Sequence, residues 1–458
     1  MVARFTTWLW QARTGVSRLA RRYPSHMILT SYAGVIACST GLLMLPAAHR
    51  AGEDTEFVDA LFTATSAVAV TGLATVDTGT HWSLVGQAII LVSIQLGGFG
   101  VLTLAALLGL LVTKRLNLAS KILASKETQT TRFGDLKRIV VVVISVSLVV
   151  EFLITSLLFP RFLALGHSAK QAAWHAVFYA VSAFNNAGFS PTSAGMTAHS
   201  DDWLILTPIM VAIIVGGLGF PVLMNVRRYG FQARRWSLHT KLTLTVTGVL
   251  LAAGFLWFLA AEWANPGTLG PMRWQDKVLS AMFLSVNPRT AGFNSIDIGA
   301  MHESSWLMTD VLMFIGGGAA STAGGIKATT LAVVLLAIVA EARGDRDVES
   351  FRRRIPTDIL RLAVAVTALS ATLIIAASMA ILEISGLRLD VVLFEVISAY
   401  ATTGLSTGIT AALPDSAHLI LVVLMFAGRV GTMTFAAALT LRTWTRARRL
   451  PADRVLVG

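Results

Sequence analysis

The sequence predicts an all-α integral membrane protein made of four pseudo-symmetric helix–pore-helix–helix repeats. Three observations support this fold class: apolar residues far outnumber charged ones, long and short apolar runs alternate along the chain, and one glycine-containing motif occurs four times. Internal repetition on this scale indicates a structural unit that is used several times. The expected architecture is eight membrane helices plus four re-entrant pore helices around a central pore.

The composition places the chain in a membrane. Of its 458 residues, 55% are hydrophobic and 14% are charged, and the mean hydropathy is +0.69. A soluble protein of this size would need more charged surface. Eight apolar runs approach or exceed the ~20 residues that a helix needs to cross a bilayer. These runs are Met27–Pro46, Trp82–Val112, Ile139–Phe162, Trp203–Val226, Leu238–Trp263, Trp306–Ala340 (interrupted), Ile359–Leu382 and Leu419–Leu441.

Four shorter apolar runs lie between the long ones. They are too short to cross a bilayer comfortably, so they are candidates for segments that enter the membrane and turn back. For any single run, a buried or interfacial helix is the alternative. The short runs are Phe57–Val70, Ala169–Asn185, Trp274–Val286 and Leu389–Ala401.

The positions of the basic residues predict the orientation. The formal net charge is +12, which suggests nucleic acid as a partner, but most of the 37 Lys and Arg residues fall in five blocks that flank or separate the membrane segments. Basic blocks that alternate with weakly basic loops follow the positive-inside rule. We therefore expect no nucleic-acid partner, a multi-pass protein of the inner (plasma) membrane, cytoplasmic termini, and short runs near the outer face. The blocks are Arg4–Arg22, Lys114–Arg138, Arg227–Lys241, Arg343–Arg361 and Arg442–Arg454.

The sequence contains no enzyme signature. Cys38 is the only cysteine, and the nine histidines are scattered without the spacing of metal ligands. We therefore predict no catalytic residues and no covalent cofactor.

The repeated motif begins with phenylalanine and contains a glycine near its end in each of the four units. The stretches are FTATSAVAVTGL (Phe62–Leu73), FYAVSAFNNAGF (Phe178–Phe189), FLSVNPRTAGFN (Phe283–Asn294) and FEVISAYATTGL (Phe394–Leu405). A second glycine motif follows each one: QLGGFG, VGGLGF, GGGAASTAGG and AGRVGT. The predicted organisation is unit 1 at 27–113, unit 2 at 138–226, unit 3 at 238–342 with a broken second helix, and unit 4 at 358–441. Cytoplasmic segments 1–26 and 442–458 flank the units.

The four glycine turns are the candidate functional site. Each unit returns the chain to the cytoplasm, so all four share one orientation and can surround an axis perpendicular to the membrane. Non-helical backbone is tolerated at membrane depth only against protein or a water-filled path. Glycine permits the dihedral angles that aim successive carbonyls inward, where they replace the hydration shell of a cation. Because the turns contain no acidic residue, we expect a monovalent cation. The predicted filter residues are Val70, Thr71, Gly72, Asn186, Ala187, Gly188, Thr290, Ala291, Gly292, Thr402, Thr403 and Gly404.

The second long helix of unit 3 is interrupted by MFIGGGAASTAGGIKATT (Met313–Thr330). Its glycines each weaken a helix by about 1 kcal/mol relative to alanine. We predict a flexible loop beneath the filter that acts as a gate; the alternative is a seam of small residues at a helix contact. For the glycine motifs of the other units, the packing seam is the favoured interpretation. The predicted gate residues are Gly316, Gly317, Gly318, Ser321, Thr322, Gly324, Gly325, Lys327 and Arg429.

Several charged residues lie inside the apolar segments. A cation at the position of Arg429 needs a partner, so it either faces the pore as a barrier to cations or hydrogen-bonds to the interrupted segment. Lys327 either takes part in gating or extends its ammonium group to the cytoplasm. Arg289 is expected to brace the carbonyls behind its turn. For Glu151, near a helix end, exposure at the membrane interface is expected.

The four T-x-G-like turns together with the STAGGIK interruption resemble the Trk/Ktr/HKT potassium transporter superfamily, over Met27 to Leu441. The resemblance implies a potassium-channel-like fold with potassium at the filter residues. Serine at the first filter glycine accompanies sodium preference in plant relatives, so Gly72 is of the potassium type. Trk members often carry two further N-terminal helices; this sequence has none, which favours the Ktr membrane subunit. That subunit implies a homodimer above a cytoplasmic nucleotide-binding regulatory ring.

Other functions remain open. The filter turns differ from one another, so looser discrimination between potassium and sodium is expected. A sodium-permeable or potassium/sodium-coupled transporter of the same superfamily is the first alternative, and sodium dependence stays open. The second is an alternating-access secondary transporter, which buried acidic or histidine residues would support, and the third is a structural scaffold. The lipid bilayer itself is the partner expected for most of the basic blocks.

Overall fold

Helices account for nearly all of the regular structure in residues 24–99 and 136–431, which are the residues that the computed structural model describes. The helices are α1 (Pro24–Leu43), α2 (Phe57–Ala69), α3 (Leu84–Gly98), α4 (Leu136–Ala164), α5 (Ala169–Phe184), α6 (Trp203–Leu218), α7 (Phe220–Tyr229), α8 (Leu238–Glu262), α9 (Trp274–Val286), α10 (Glu303–Phe314), α11 (Ala328–Arg343), α12 (Thr357–Ser385), α13 (Leu389–Ala401) and α14 (Asp415–Phe426). A hairpin of two short antiparallel strands, β1 (Glu349–Ser350) and β2 (Arg353–Arg354), joins α11 to α12.

Local sequence signals explain several helix ends. Ser168 and Gln171 form a reciprocal capping box at the start of α5. Ser237 caps α8 through the Thr240 N–H, and Asp202 caps α6 through the Leu204 N–H. At the other end, Gly344 follows α11 in the left-handed conformation, which a glycine adopts at little steric cost.

The short apolar runs all form helices, with bounds that are identical to the predicted ones in α9 and α13 and within one residue of them in α2 and α5. The long runs Ile139–Phe162, Leu238–Trp263 and Ile359–Leu382 correspond to α4, α8 and α12. The predicted terminal segments lie outside the described residues apart from residues 24–26. So do the ends of the predicted units 1 and 4, at 100–113 and 432–441.

The second long helix of unit 2 departs from the prediction of one run through Val226. The helix α6 ends at Leu218, and α7 leaves Gly219 at an angle of 97° to it. Gly219 has φ +93°, a conformation that residues with a Cβ rarely adopt. The predicted continuous span is therefore wrong for this helix. In unit 3, the predicted interruption is present, between α10 and α11, and in unit 4 the chain forms a π turn at Ala427–Gly431.

Helices of neighbouring units pack in a cyclic order. The second long helix of each unit contacts the short helix of the next unit: α3 packs on α5, α6 on α9, α10 on α13, and α14 on α2. Buried side chains fill these borders, such as Ile90 with Phe178 between units 1 and 2, and Ile209 with Phe283 between units 2 and 3. The contact of α14 with α2 brings the last unit against the first.

Large apolar side chains cover the outside of the long helices. Phe152 is 70% exposed, Leu256 63% and Val423 65%. So much apolar surface is unfavourable in water and suits contact with lipid. Among the described residues, three helical stretches are long and apolar enough to cross a bilayer: Val140–Ala164, Leu238–Glu262 and Thr357–Ser385. The bent pair α6–α7 adds a fourth if it is counted as one span.

Candidate functional site

The four glycine turns share one backbone conformation. In each, a residue near the end of the short helix has a left-handed conformation, and the glycine two residues later has a positive φ as well. The left-handed residues are Val70 (φ 58°), Asn186 (58°), Thr290 (70°) and Thr402 (52°), and the glycines are Gly72 (96°), Gly188 (71°), Gly292 (74°) and Gly404 (91°). Four non-glycine residues with positive φ at equivalent positions indicate a functional constraint on the backbone.

The turns also touch one another in a closed cycle. A Cβ on Gly72 would overlap the carbonyl oxygen of Ala187, and one on Gly188 would lie 2.8 Å from that of Ala291. A Cβ on Gly292 would overlap the Thr403 carbonyl oxygen, and one on Gly404 would overlap that of Thr71. Each turn therefore presents a carbonyl to the glycine of the turn before it, and the fourth glycine faces the first turn. The structure brings the four predicted filter turns together, and all twelve filter residues are buried except Gly72 and Gly188, which are partly buried.

The oxygens of these turns are the candidate ligands for a cation. The described residues contain no group of three or more His, Cys, Asp or Glu side chains that suits a metal ion. The turns themselves carry only amide, carbonyl and hydroxyl oxygens. Neutral oxygens bind a monovalent cation without the strong field that carboxylates provide for divalent ions.

A small polar residue in each short helix holds its own turn, and the sequence analysis missed this set. The residues are Ser66, Ser182, Asn287 and Ser398. The carbonyl of each accepts a hydrogen bond from the N–H of the residue that precedes the filter glycine, at 2.7, 2.8, 2.9 and 2.9 Å respectively. The signal was available, because these residues occupy the fifth position of all four aligned stretches.

The side chains of the same four residues add a second bond to each turn. Ser66 Oγ accepts from the Gly72 N–H at 3.0 Å, and Ser398 Oγ accepts from the Gly404 N–H at 3.1 Å. Ser182 Oγ donates to the Phe189 carbonyl at 2.9 Å. Asn287 binds both the N–H and the carbonyl of Phe293. The turns are thus fixed by bonds that span only six or seven residues.

The segment 315–327 of unit 3 lies against the helix-proximal ends of the turns. Gly324 packs against Thr402 Oγ1 and the Ala401 carbonyl, and a Cβ there would be only 2.8 Å from that carbonyl oxygen. Thr322 Oγ1 donates to the Phe184 carbonyl at 3.2 Å. The segment therefore contacts the ends of the short helices of units 2 and 4, α5 and α13.

The same segment is bonded to the bend between α6 and α7. The N–H of Gly318 donates to the Gly217 carbonyl at 2.8 Å, and that of Thr322 donates to the Gly216 carbonyl at 3.3 Å. In return, the Phe220 N–H donates to the Ala320 carbonyl at 3.1 Å. The bend frees carbonyls that an unbroken helix would use, and the interrupted segment supplies their donors.

Bonds within the segment give it a defined shape. Ser321 Oγ donates to the Gly318 carbonyl at 2.7 Å, and the Ala328 N–H donates to the Gly317 carbonyl at 2.9 Å. Lys327 Nζ donates to the Ala323 carbonyl at 2.7 Å. A Cβ on Gly316 would overlap the Gly324 carbonyl oxygen, so the two ends of the segment lie against each other. The ammonium group of Lys327 thus lies on the segment.

Arg429 joins this segment to unit 1. Its Nη1 donates to the Thr322 carbonyl, and its Nη2 donates to the Gly97 carbonyl at 2.9 Å. The residue is 5% exposed. The hydrogen bond to the interrupted segment, one of the two predicted placements, is present in the structure. Backbone carbonyls at a broken helix are suitable partners for a buried guanidinium.

Arg289 immediately precedes the third turn and is buried, and its side chain bonds to α8. Its Nη2 donates to Thr247 Oγ1 at 3.2 Å, and its side chain lines a small cavity beside Val286 and Gly217. Its own carbonyl accepts a hydrogen bond from Asn186 Nδ2 at 3.2 Å, so the second and third turns are linked directly.

The glycine motifs of the other three units pack closely, as predicted. A Cβ on Gly97, Gly216 or Gly428 would overlap the carbonyl oxygen of Val68, Phe184 or Tyr400 respectively. Each of these carbonyls lies two residues before the left-handed residue of its own unit's turn. The glycines therefore let the second long helix approach the end of the short helix.

Glu151 was predicted at the membrane interface, and this prediction is wrong. The residue is 5% exposed and accepts hydrogen bonds from Ser147 Oγ at 2.7 Å and Asn185 Nδ2 at 3.1 Å. Asn185 Nδ2 also lies 3.1 Å from Gln95 Oε1 on α3. These hydrogen bonds satisfy the buried carboxyl group of Glu151, and they also hold Asn185, the residue just before the second turn. Ser147, one helical turn before Glu151, was the available signal.

A polar cavity opens beside the third and fourth turns. Its volume is about 530 Å³, and its lining includes Asn294, Asp297, Ser406 and Thr407, which follow the filter glycines in sequence. Asp297 is exposed and supplies a carboxylate there. The cavity is therefore a candidate approach to the turns for a hydrated cation.

The lipid-facing helices and the closed cycle of carbonyl-bearing turns define a membrane transport protein. Residues 5–443 match the family described as "TrkH: Cation transport protein", and the chain belongs to that family.

Individual relatives agree with this assignment. The chain is 36% identical over 443 residues to Ktr system potassium uptake protein B of Bacillus subtilis, which covers 97% of this chain and 98% of the relative. It is 33% identical over 447 residues to the potassium/sodium uptake protein NtpJ of Enterococcus hirae, with 96% and 98% covered. The crystal structure of the potassium transporter TrkH from Vibrio parahaemolyticus shares the fold, with a TM-score of 0.71, 17% identity, and 93% of this chain and 86% of that chain covered.

Proposed function

We propose that this protein carries potassium ions into the cell through the centre of the four glycine turns. The observation that carries the proposal is the cyclic contact of the turns, in which Gly404 of unit 4 lies against Thr71 of unit 1. A closed cycle surrounds one axis, as a filter requires. The relatives named as potassium uptake proteins support potassium as the substrate.

Selectivity would come from backbone carbonyls. Positive φ values at both positions of each turn, for example Val70 and Gly72, would direct successive carbonyls to one side of the chain. The short helices end at the turns, so the partial negative charge of about half a unit at their C-termini adds to the field on the cation. The carbonyl oxygens and the partial charges of the helix ends together favour a dehydrated monovalent cation.

The second candidate function is that of a sodium-permeable or potassium/sodium-coupled transporter of the same family. It is favoured by the relative named potassium/sodium uptake protein in Enterococcus hirae. Unequal turns also support it, because one position of the turn is valine in unit 1 (Val70), asparagine in unit 2 (Asn186) and threonine in units 3 and 4. Sodium dependence of potassium uptake belongs to the same alternative.

The gate would be the interrupted segment of unit 3, with Lys327 and Arg429 holding it closed. Its contacts with α5 and α13 support this role, because a segment beneath the turns must move before an ion can pass. Thr322 is held by its own hydroxyl and by Arg429, so release of these bonds is the step that opening requires.

The proposed architecture places four helix–pore-helix–helix units around the filter, with eight membrane helices and four re-entrant ones. The unit boundaries remain 27–113, 138–226, 238–342 and 358–441. The protein would lie in the inner (plasma) membrane with both termini in the cytoplasm, as a homodimer above a nucleotide-binding ring. The name Ktr system, carried by the relatives, supports a further component.

The test is growth of potassium-uptake-deficient cells at low external potassium, together with rubidium uptake into the same cells. The chain with its cytoplasmic partner should restore growth, and Gly404→Ser should abolish it at normal expression. Gly408→Ser is the matched control: both glycines have strongly positive φ, but only at Gly404 would a Cβ overlap a neighbouring carbonyl. Restored growth by Gly404→Ser, or equal effects of the two variants, would overturn the proposal.

A further inference from the structure

The hydroxyl group of Tyr32 lies where three helices of the molecule meet. Tyr32 belongs to α1, is 1% exposed, and donates a hydrogen bond to the Val68 carbonyl near the C-terminus of α2. Its hydroxyl oxygen also lies close enough to the Arg429 guanidinium to interact with it. The Tyr32 ring packs edge-on against Phe426 at the end of α14, with 6.2 Å between the ring centroids. Unit 1 thus contacts the last helix of unit 4 at this point.

The packing of Gly97 supports this placement independently. A Cβ on Gly97 would overlap the Val68 carbonyl oxygen, and the Gly97 carbonyl accepts a hydrogen bond from Arg429 Nη2 at 2.9 Å. Tyr32 and Gly97 therefore both lie against the Val68 carbonyl, and both reach Arg429. Because both residues belong to unit 1, that unit supplies two of the contacts of the guanidinium.

The hydrogen-bonding capacity of a phenol suits both polar contacts of Tyr32. A tyrosine hydroxyl can donate one hydrogen bond and accept others, whereas a guanidinium can only donate. Since the hydroxyl hydrogen goes to the Val68 carbonyl, the lone pairs of the oxygen are available to the guanidinium. A phenylalanine at this position would keep the ring and its packing but would lose both polar contacts.

Another contact of Arg429 joins it to the proposed gate. Its Nη1 donates to the Thr322 carbonyl, and Thr322 Oγ1 in turn donates to the Phe184 carbonyl of unit 2 at 3.2 Å. Under the proposed function, on which this inference rests, the segment 315–327 moves away before an ion passes. Arg429 then loses the Thr322 carbonyl but keeps its contacts with Gly97 and Tyr32.

A guanidinium that was not held at this moment would obstruct transport. A positive charge beneath the filter repels a cation on the same path, and the repulsion is strong where water is scarce. A buried guanidinium also needs acceptors for its N–H groups. Without the Tyr32 hydroxyl, Arg429 would be bound less firmly to unit 1 and could enter the space that the segment leaves.

We propose that Tyr32 is a positioning residue for transport: its hydroxyl holds the Arg429 guanidinium against unit 1 and out of the ion path while the segment 315–327 is displaced. Tyr32 does not touch the ion in this role. Loss of the hydroxyl should therefore lower the maximal rate of transport and leave the choice between ions at the filter turns unchanged.

The first experiment removes the hydroxyl alone. Tyr32→Phe is compared with Tyr179→Phe, the matched control, because Tyr179 is also fully buried but its hydroxyl binds the Ser190 and Thr192 hydroxyls, which bind each other as well. Each variant is produced with its cytoplasmic partner in the potassium-uptake-deficient cells. Rubidium uptake is measured over a range of rubidium concentrations at matched expression, together with the rubidium-over-sodium uptake ratio.

We expect Tyr32→Phe to lower the maximal rate of rubidium uptake about fivefold or more, because the guanidinium then enters the ion path. The half-saturating rubidium concentration and the uptake ratio should stay within about twofold of the unsubstituted values, as should all three quantities in Tyr179→Phe. A changed ratio in Tyr32→Phe would show that the hydroxyl only shapes the first turn. Equal maximal rates in the two variants would show that it does not hold Arg429, and either result would overturn the inference.

The second experiment removes the charge that Tyr32 is proposed to hold, and it stays informative if Tyr32→Phe alone fails to fold. Arg429→Gln leaves no charge to reposition, so adding Tyr32→Phe to it should change the maximal rate by less than about twofold. A several-fold loss on that addition would mean that Tyr32 acts independently of the charge, which contradicts the inference. So would an Arg429→Gln protein without rubidium uptake at normal expression, because removal of the charge should leave the path open.

The outcomes separate this inference from the proposed function. If the unsubstituted protein takes up no rubidium, or Gly404→Ser takes it up normally, the proposed function itself fails. If uptake is normal and Gly404→Ser abolishes it, but Tyr32→Phe behaves like Tyr179→Phe, only the role of Tyr32 is wrong.

Discussion

The four glycine turns are close copies of one another, whereas the second long helices that follow them differ from unit to unit. Every turn has a left-handed residue and a glycine of positive φ two residues later. By contrast, the helix bends by 97° in unit 2, is interrupted over 315–327 in unit 3 and passes into a π turn in unit 4. Similar glycine motifs in the sequence thus correspond to different backbone paths.

The difference follows from the range of the bonds that fix each region. The turns are held by residues only four to seven positions away, such as Ser66, Ser182 and Asn287. The bend at Gly219 depends on Ala320, and the π turn carries Arg429, whose partners are Gly97 and Thr322. Local bonds reproduce one geometry wherever the motif recurs, while distant bonds give each helix its own path.

The largest effect is expected where a glycine of the packing seam touches the end of a short helix. Gly428→Ala would push a methyl group into the Tyr400 carbonyl, inside a tightly packed seam. We expect a loss of about 3 kcal/mol in the free energy of unfolding, measured by denaturant titration in detergent micelles. Gly248→Ala is the control, because no atom lies within 4 Å of its Cβ; it should change stability by at most about 1 kcal/mol. Similar losses for both would mean that the seam is not closely packed.

The second prediction compares turns with each other. Asn287→Ala removes two bonds to Phe293, whereas Ser398→Ala removes one bond to the Gly404 N–H. We expect destabilisation of about 1 kcal/mol for Ser398→Ala and about twice that for Asn287→Ala. Both should lower the rubidium-over-sodium uptake ratio. An Asn287→Ala protein that is as selective and stable as Ser398→Ala would show that the third turn is not held in this way.

The third prediction concerns the interrupted segment. Thr322→Val removes the hydroxyl bond to the Phe184 carbonyl, which is worth about 1 kcal/mol. If release of the segment limits transport, rubidium uptake should become up to about fivefold faster. Thr367→Val is the control, because that hydroxyl binds only the Ala363 carbonyl of its own helix. Slower uptake in Thr322→Val, or equal rates in the two variants, would argue against a gate at this position.

The smallest effect is expected at an exposed group of ion pairs. Arg388 is exposed and pairs with Glu303 of unit 3 and Asp390 of unit 4, and these carboxylates raise the pKa of its guanidinium. Exposed ion pairs contribute little to stability because water and salt screen them. Arg388→Gln should leave both the unfolding transition and rubidium uptake unchanged. A clear change would mean that exposed ion pairs, rather than the buried seams, hold neighbouring units together.

The sequence predicted those elements whose signals are local. The bounds of α9 and α13 are those of their apolar runs, and the turns lie at the repeated glycines because only a few residues are compatible with their dihedral angles. It did not predict the bend at Gly219, because VGGLGF looks like a packing motif until its distant partners in 315–327 are known. The burial of Glu151 was missed for the same reason, since Asn185 and Gln95 are remote in sequence.

The paired breaks in units 2 and 3 have a consequence for solvent. While the two breaks are bonded to each other, the carbonyls of Gly216 and Gly217 accept hydrogen bonds from the N–H groups of Thr322 and Gly318 respectively. If the segment 315–327 moved away, those oxygens would lose their donors in a region where lipid offers no replacement. Water would then have to enter and supply the missing hydrogen bonds. Opening would then be a wetting transition, because the water molecules that bond to the exposed carbonyls would also hydrate the ion as it leaves the filter.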